Sequence, residues 1–289
     1  MESAVIQSVA ALNEQYGSEG GLIFAVNPQG LIFAEINNGW CRGRVYLQGG
    51  HVTDYQPGKA IRGGIPVCWP WFGSHPSGRM QPAHGFARTT LWNLVATSHN
   101  SKGETIITLD LNDCPPTHAI WPHSFSLTLT IIFGASLQLL LAMENRSASP
   151  MSLSCALHSY FRVTDWQTCR IHGLDGVDYL DKVEGYARQT QSGMVAFEQE
   201  TDRIYLIADA ACRIAIPESG RDCLISQEGS TATVVWNPGP VKASAMADMI
   251  AEEYREMVCV ETAIAPQTPL ILQPGVTHVL AAEMRSIPK

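Results

Sequence analysis

Two residues stand out for proton chemistry. His158 lies in Ala156-Leu157-His158-Ser159-Tyr160-Phe161, and Glu261 lies in Val258-Cys259-Val260-Glu261-Thr262. Read as strands, the first segment puts His158, Tyr160 and Arg162 on one face and Leu157, Ser159 and Phe161 on the other. The second puts Glu261 with Cys259, away from Val258 and Val260. A carboxylate in an apolar strand costs free energy unless it is paired or solvated, and a functional cleft is one way to meet that cost. The plainer readings are a hydrogen-bonded core histidine and a salt-bridged surface glutamate. The pattern alone leaves these readings open.

A second group could hold a small anion. The stretch from Gly49 to Trp92 contains Gly49-Gly50-His51, then Ile61-Arg62-Gly63-Gly64-Ile65-Pro66-Val67-Cys68-Trp69-Pro70-Trp71-Phe72-Gly73, then His84-Gly85-Phe86-Ala87-Arg88. Arginine presents a planar fork of donors that fits a phosphate. Paired glycines let backbone approach a ligand, and tryptophan faces suit sugar C–H surfaces as well as cores. The plain alternative is a rigid crossover whose glycines turn the chain and whose tryptophans fill the core. Other chemistries lack their residues. There is no HExxH, no tight His/Cys spacing for zinc and no GxSxG elbow. Neither GxxxxGK[ST] nor GxGxxG occurs. No metal and no cofactor is expected.

The elements that must position these groups read as strands. Phe125, Leu127, Leu129 and Ile131 alternate with Ser124, Ser126, Thr128 and Thr130, the mark of a half-buried strand. Gly134-Ala135-Ser136 turns it, and Leu137 to Met143 returns. Leu22 to Val26 and Leu31 to Ile36 flank Asn27-Pro28-Gln29-Gly30 as a hairpin, and Cys41 to Leu47 follows. Further strands are expected at 105–111, 152–163, 203–207, 212–216, 232–236, 257–262 and 276–283. Two helices are expected: one over Ser3 to Tyr16, within an N-terminal extension of residues 1–19, and one surface helix over Met246 to Met257. Many short strands punctuated by turn residues indicate an all-β, large antiparallel sandwich or barrel. No repeat or linker divides residues 1–289, so one domain is expected.

Composition excludes several classes. Charged residues make up 16% of the 289-residue chain, against roughly 25% in an average domain. The formal net charge of -8 is unsuited to nucleic acid or an anionic membrane. No apolar run is long enough for a membrane span, and the N-terminus has no basic n-region of a signal peptide. Eight cysteines without a CxxC read as reduced thiols, which implies a cytoplasmic location.

The ordered blocks IRGGIPVCWPWFG (61–73), HGFAR (84–88), ALHSYF (156–161), ETDRIY (200–205), VVWNP (234–238) and MVCVE (257–261) resemble the aldose 1-epimerase (galactose mutarotase-like) superfamily. More closely, the chain is similar to its hexose-6-phosphate mutarotases, the glucose-6-phosphate 1-epimerases. The resemblance runs from about Gly20 to Arg285. It implies a twisted β-supersandwich with the sugar site on a concave face. His158 and Glu261 match the family's catalytic pair, and Arg62 and Arg88 match arginines at the sugar-phosphate site. Asp202 matches an acidic residue that binds sugar hydroxyls, and His84 lies near the substrate. The implied activity is cofactor-independent interconversion of α and β anomers of a hexose 6-phosphate. A monomer with a small-molecule substrate as its partner is expected. Rivals are a mutarotase of unphosphorylated aldoses and a non-catalytic sugar-phosphate-binding protein on the same scaffold. Two positions depart from the pattern. Ala83 stands where relatives often carry Gln, and Gly239 stands where they often carry Trp.

Overall fold

Strict apolar alternation produces the first large sheet. The strands Thr105–Asn112, Phe125–Phe133 and Leu137–Asn145 bury alternate residues. They join Asn93–His99 on one side and Thr277–Pro288, Arg221–Glu228, Ala211–Ala215 and Arg170–His172 on the other. All neighbours in this eight-stranded back sheet are antiparallel. Its inward residues, among them Leu109, Leu129, Ile131 and Leu141, are fully buried. Each such side chain contributes about 1.5–3 kcal/mol of burial free energy.

The computed structural model describes residues 8–18, 21–56, 64–78, 81–246, 249 and 252–289. A second eight-stranded sheet is buried on both faces along its central strands. Its path runs Ala187–Thr190, Asp178–Asp181, Thr201–Tyr205, Ala232–Asn237, Met257–Ile264, Cys155–Leu157 and Val67–Cys68, with Tyr160–Arg162 also pairing Met257–Ile264. Every residue of Ala232–Asn237 and Met257–Ile264 is buried. One face, with Val235, Val258, Val260 and Tyr205, enters the main core. The other carries a smaller apolar cluster that includes Cys68, Ala156, Ile204, Ala232, Val234 and Ala263. This is the site sheet.

The N-terminal strands form a four-stranded meander, Leu22–Val26, Ile32–Asn37, Arg42–Tyr46 and His51–Gln56. The expected hairpin is present, with Leu22 opposite Ile36. The first helix runs Val9–Tyr16 and is capped by Ser8, whose hydroxyl accepts from the Ala11 amide at 3.2 Å. Asn13 then exchanges two hydrogen bonds with the Phe24 backbone, pinning the helix to the meander. The rest of the expected span, 3–7, lies outside the described residues.

Two expectations need correction. Of the helix expected over Met246 to Met257, residues 247, 248, 250 and 251 lie outside the described residues, and 246, 249 and 252 are not helical. The helical turns are Gly239–Ala245, which ends at Met246, and a 3-10 turn at Glu253–Glu256. Pro240 at the start of the first favours helix there, and the periodic apolar residues serve elsewhere. Tyr254 is in the main core, while Met246 and Met257 pack with Trp236. The strand expected over Ser152 to Val163 is three pieces, Met151–Leu153, Cys155–Leu157 and Tyr160–Arg162. The first pairs with Leu270–Leu272 instead of the site sheet.

Candidate active site

The break in that last strand falls at His158 and Ser159. The His158 amide donates to the Pro66 carbonyl at 3.0 Å, and the Ser159 amide donates to Leu157 O at 2.9 Å. Register is the same on both sides of the break: Leu157 lies opposite Thr262 and Tyr160 opposite Cys259. His158 therefore stands opposite Glu261, and cross-strand neighbours on one face meet. His158 Nε2 lies 3.4 Å from Glu261 Oε1, with side chains 11% and 1% exposed.

The next row on this face is also continuous across strands. Asp202 lies opposite Trp236, Trp236 opposite Cys259, and Cys259 opposite Tyr160. Lys182 extends the row, because its amide donates to Asp202 O at 2.9 Å and its Nζ reaches Asp202 Oδ2 at 2.7 Å. Tyr160 stacks on His158, ring centroids 4.8 Å apart, and Trp236 meets the imidazole edge-on at 5.9 Å. His84 approaches from the other side, its ring 5.9 Å from that of His158. Strand alternation had put Tyr160 with His158 and Cys259 with Glu261. Lys182 gave no sequence signal, since a lysine at a strand end is usually a solvated one.

His84 and Arg88 are presented by the loop that folds over Trp69. The Phe86 and Ala87 amides both donate to the Trp69 carbonyl, at 3.0 and 3.2 Å. His84 takes φ 67° and accepts from the Gly73 amide through Nδ1 at 3.3 Å. Arg88 sits in the short turn Ala87–Thr89, and its Nη2 donates to the Ala83 carbonyl at 3.0 Å. Gly49, at φ +77°, backs this turn; a Cβ there would lie 2.4 Å from Arg88 O. Glycine is required for that approach. Arg62 lies outside the described residues. The tryptophans resolve toward packing: Trp69 is fully buried against Phe86, Trp121 and Phe125.

Gly239 has a local reason. Its φ is +61°, and a Cβ would lie 2.6 Å from the Glu200 amide nitrogen. Its own amide donates to Asn237 Oδ1 at 2.8 Å. Buried Asn237 in turn donates to the Tyr254 and Met257 carbonyls, both at 2.8 Å. A side chain at 239 would have to displace backbone. A separate cleft of about 450 Å³, lined by Trp71, His75, Trp121, Ser154 and Pro266 among others, contains none of the candidate site residues.

A neighbouring carboxylate ordinarily favours a charged imidazole. Instead, burial first, then the charges of His84, Arg88 and Lys182, push His158 down to about 3. Burial, reinforced by Asp202 and opposed by Lys182, holds Glu261 well above the usual carboxylate range. His84 falls to about 4, again by burial with Arg88 and Lys182. Asp202 is raised because burial outweighs Lys182. Burial thus favours a neutral pair, imidazole beside carboxylic acid. It holds the same number of protons as imidazolium beside carboxylate. Asp202 Oδ1, His158 Nδ1 and Glu261 Oε2 are buried without a partner among the described residues, so the face retains unused hydrogen-bonding capacity.

Residues 46–285 match the family model of aldose 1-epimerase. The chain belongs to the aldose 1-epimerase family. Its members are isomerases that interconvert sugar anomers. The chain is 36% identical over 261 residues to a Cenchrus ciliaris protein provisionally named glucose-6-phosphate 1-epimerase, covering 81% of this chain and 78% of that one. An Escherichia coli K12 protein of the same provisional name is 34% identical over 228 residues, covering 78% and 75%. The crystal structure of a provisionally named mutarotase from Salmonella typhimurium superposes with TM-score 0.85 at 27% identity, covering 93% and 94%. The fold extends to a Lactobacillus acidophilus galactose 1-epimerase, TM-score 0.69 at 11% identity, covering 92% and 98%. The family thus has the mostly antiparallel galactose mutarotase-like fold. All eight cysteines are free thiols. No helix among the described residues is long and apolar enough to cross a membrane.

Proposed function

We propose that this isomerase interconverts the α and β anomers of a hexose 6-phosphate, with His158 and Glu261 exchanging protons with the sugar. The observation that carries the reading is the buried cross-strand contact between His158 Nε2 and Glu261 Oε1, within a family of anomer isomerases. One group removes the proton of the C1 hydroxyl while the other protonates the ring oxygen, and the C1–O5 bond breaks. The open aldehyde turns about C1–C2 and closes on its other face, returning both protons. Glu261 is the base and His158 the acid on opening, and they exchange roles on closure. The sugar's hydroxyls supply the hydrogen bonds that stabilise carboxylate and imidazolium in place of the neutral pair. Each positioned acid or base contributes about 10²–10⁴ in rate. That suffices for a reaction that already proceeds in water.

Substrate selection divides between two ends of the face. Asp202 Oδ1 accepts from a sugar hydroxyl, and Lys182, held at 2.7 Å from Asp202 Oδ2, donates to an adjacent one. Arg88, whose charge reaches His84 and His158, binds the phosphate together with Arg62. The names of the plant and bacterial relatives support the phosphorylated substrate.

The test is saturation-transfer NMR on glucose 6-phosphate and on free glucose. A rate above buffer, with a higher kcat/KM for the phosphate ester, is expected. Arg62→Ala and Arg88→Ala should each reduce the phosphate ester's kcat/KM at least tenfold more than the free sugar's. Equal losses contradict the phosphate clamp. No acceleration of either sugar, with binding intact, favours the non-catalytic rival.

A further inference from the structure

The row that supplies Glu261 also supplies a thiol. Cys259 precedes Glu261 by two residues on one strand, so both side chains emerge on one face, and His158 stands opposite. One ligating atom from each of His158, Cys259 and Glu261 lies within 4.8 Å of the other two. The His–Glu edge is already 3.4 Å. Zinc binds sulfur at about 2.3 Å and nitrogen or oxygen at about 2.0–2.2 Å. A tetrahedral set therefore needs ligand–ligand separations of about 3.3–3.7 Å. Small movements of the two remaining edges meet that requirement.

We infer that this triangle is an inhibitory site for a thiophilic divalent cation of the zinc type. Three observations beyond the cluster support it. The donors are one imidazole, one thiol and one carboxylate, the mixed N/S/O set that suits zinc. Glu261 is 1% exposed and its Oε2 has no partner among the described residues. Charge also closes: a divalent ion with one thiolate and one carboxylate is neutral, as a buried site requires. Binding transfers the Cys259 thiol proton, and that of Glu261, to solvent, and forms bonds to sulfur, oxygen and Nε2. Three protein ligands leave a fourth position for water. Lys182 and Arg88 oppose a cation here, and Asp202 neutralises the former at 2.7 Å. The bound ion occupies the lone pairs of His158 and Glu261 that the proposed reaction uses, so the chain is inhibited, not activated. That consequence rests on the proposed function, whereas the binding does not.

The experiment titrates the full chain with Co²⁺ as a spectroscopic substitute for zinc, and separately measures anomerisation with Zn²⁺ present. One Co²⁺ per chain should give a thiolate-to-cobalt charge-transfer band in the near ultraviolet. Cys259→Ala should abolish the band and raise the half-inhibitory Zn²⁺ concentration at least tenfold. His158→Ala and Glu261→Gln should each weaken cobalt binding at least tenfold. Should Cys259→Ala lose its native circular dichroism, Cys259→Ser provides the same comparison. Absence of the band, or a band and inhibition unchanged in the Cys259 variants, overturns the inference. If wild type proves to have no anomerisation rate, the band and its loss still decide the binding claim by themselves.

Discussion

One row of side chains from each large sheet makes the contrast plain. Across the back sheet, Leu94, Leu109, Leu129, Leu141 and Leu280 stand in register. Across the site sheet, the corresponding kind of row reads Lys182, Asp202, Trp236, Cys259 and Tyr160, with Glu261 and His158 in the next. Both are mostly buried. The first row gains free energy at every position. The second holds titratable groups in a place where burial opposes their charge. Under the proposed function the site sheet gives up stability for chemistry, and the back sheet, with its uninterrupted apolar rows, supplies the margin.

The sharpest way to break that contrast is to remove one of the two groups proposed to react. His158→Ala should lower the anomerisation rate about 10²–10⁴-fold while leaving the circular dichroism spectrum native. Polarimetry or saturation transfer reads the rate, and a nearly intact rate removes His158 from the mechanism. The mirror experiment is in the back sheet. Leu129→Ala, at a fully buried position, should cost about 2–5 kcal/mol in urea unfolding. The rate per folded molecule should stay within twofold. A large kinetic effect there would mean that the sheets do not divide the work.

Acid should expose the cost of burying histidines next. His51 and His84 are held down to about 4, chiefly by burial, whereas the proton missing from His158 is held by Glu261 beside it. The folded values of His51 and His84 lie below the unfolded value of about 6.5, so the unfolded chain binds more protons between these limits. Stability therefore falls as pH drops from about 6.5 toward 4. Urea midpoints across this range measure it. A flat profile would mean that His51 and His84 are charged when folded. At the small end, Gly239→Ala should cost about 1–3 kcal/mol, from the positive φ and the Glu200 backbone. An unchanged unfolding midpoint would reject the packing argument.

The back sheet was legible because its alternation is two-faced. Ser126, Thr128 and Thr130 mark the side turned from the core, and Leu127, Leu129 and Ile131 mark the buried side. In the site sheet, Ala232-Thr233-Val234-Val235-Trp236 is buried throughout, so periodicity has nothing to separate. His158 and Glu261 were legible as polar residues in apolar strands, and alternation fixed which neighbours share their faces. Their opposition was not legible, because it depends on the register of strands a hundred residues apart. Lys182 was hidden for the same reason: only its place opposite Asp202 makes it part of the site. The helix expected at Met246 to Met257 shows the reverse failure. Met246, Tyr254 and Met257 have helical spacing, yet they pack against different clusters.

Glu261→Gln tests the central claim most directly, because it reads both sides of the contrast in one protein. Burial holds the Glu261 carboxyl well above its ordinary range, so the native acid is disfavoured once the unfolded chain can ionise, above about pH 4.3. At pH 7 the neutral amide should raise the melting temperature by a few degrees. It should also lower the anomerisation rate on glucose 6-phosphate by about 10² or more. A variant that keeps its full rate, or loses rate and melting temperature together, contradicts the account.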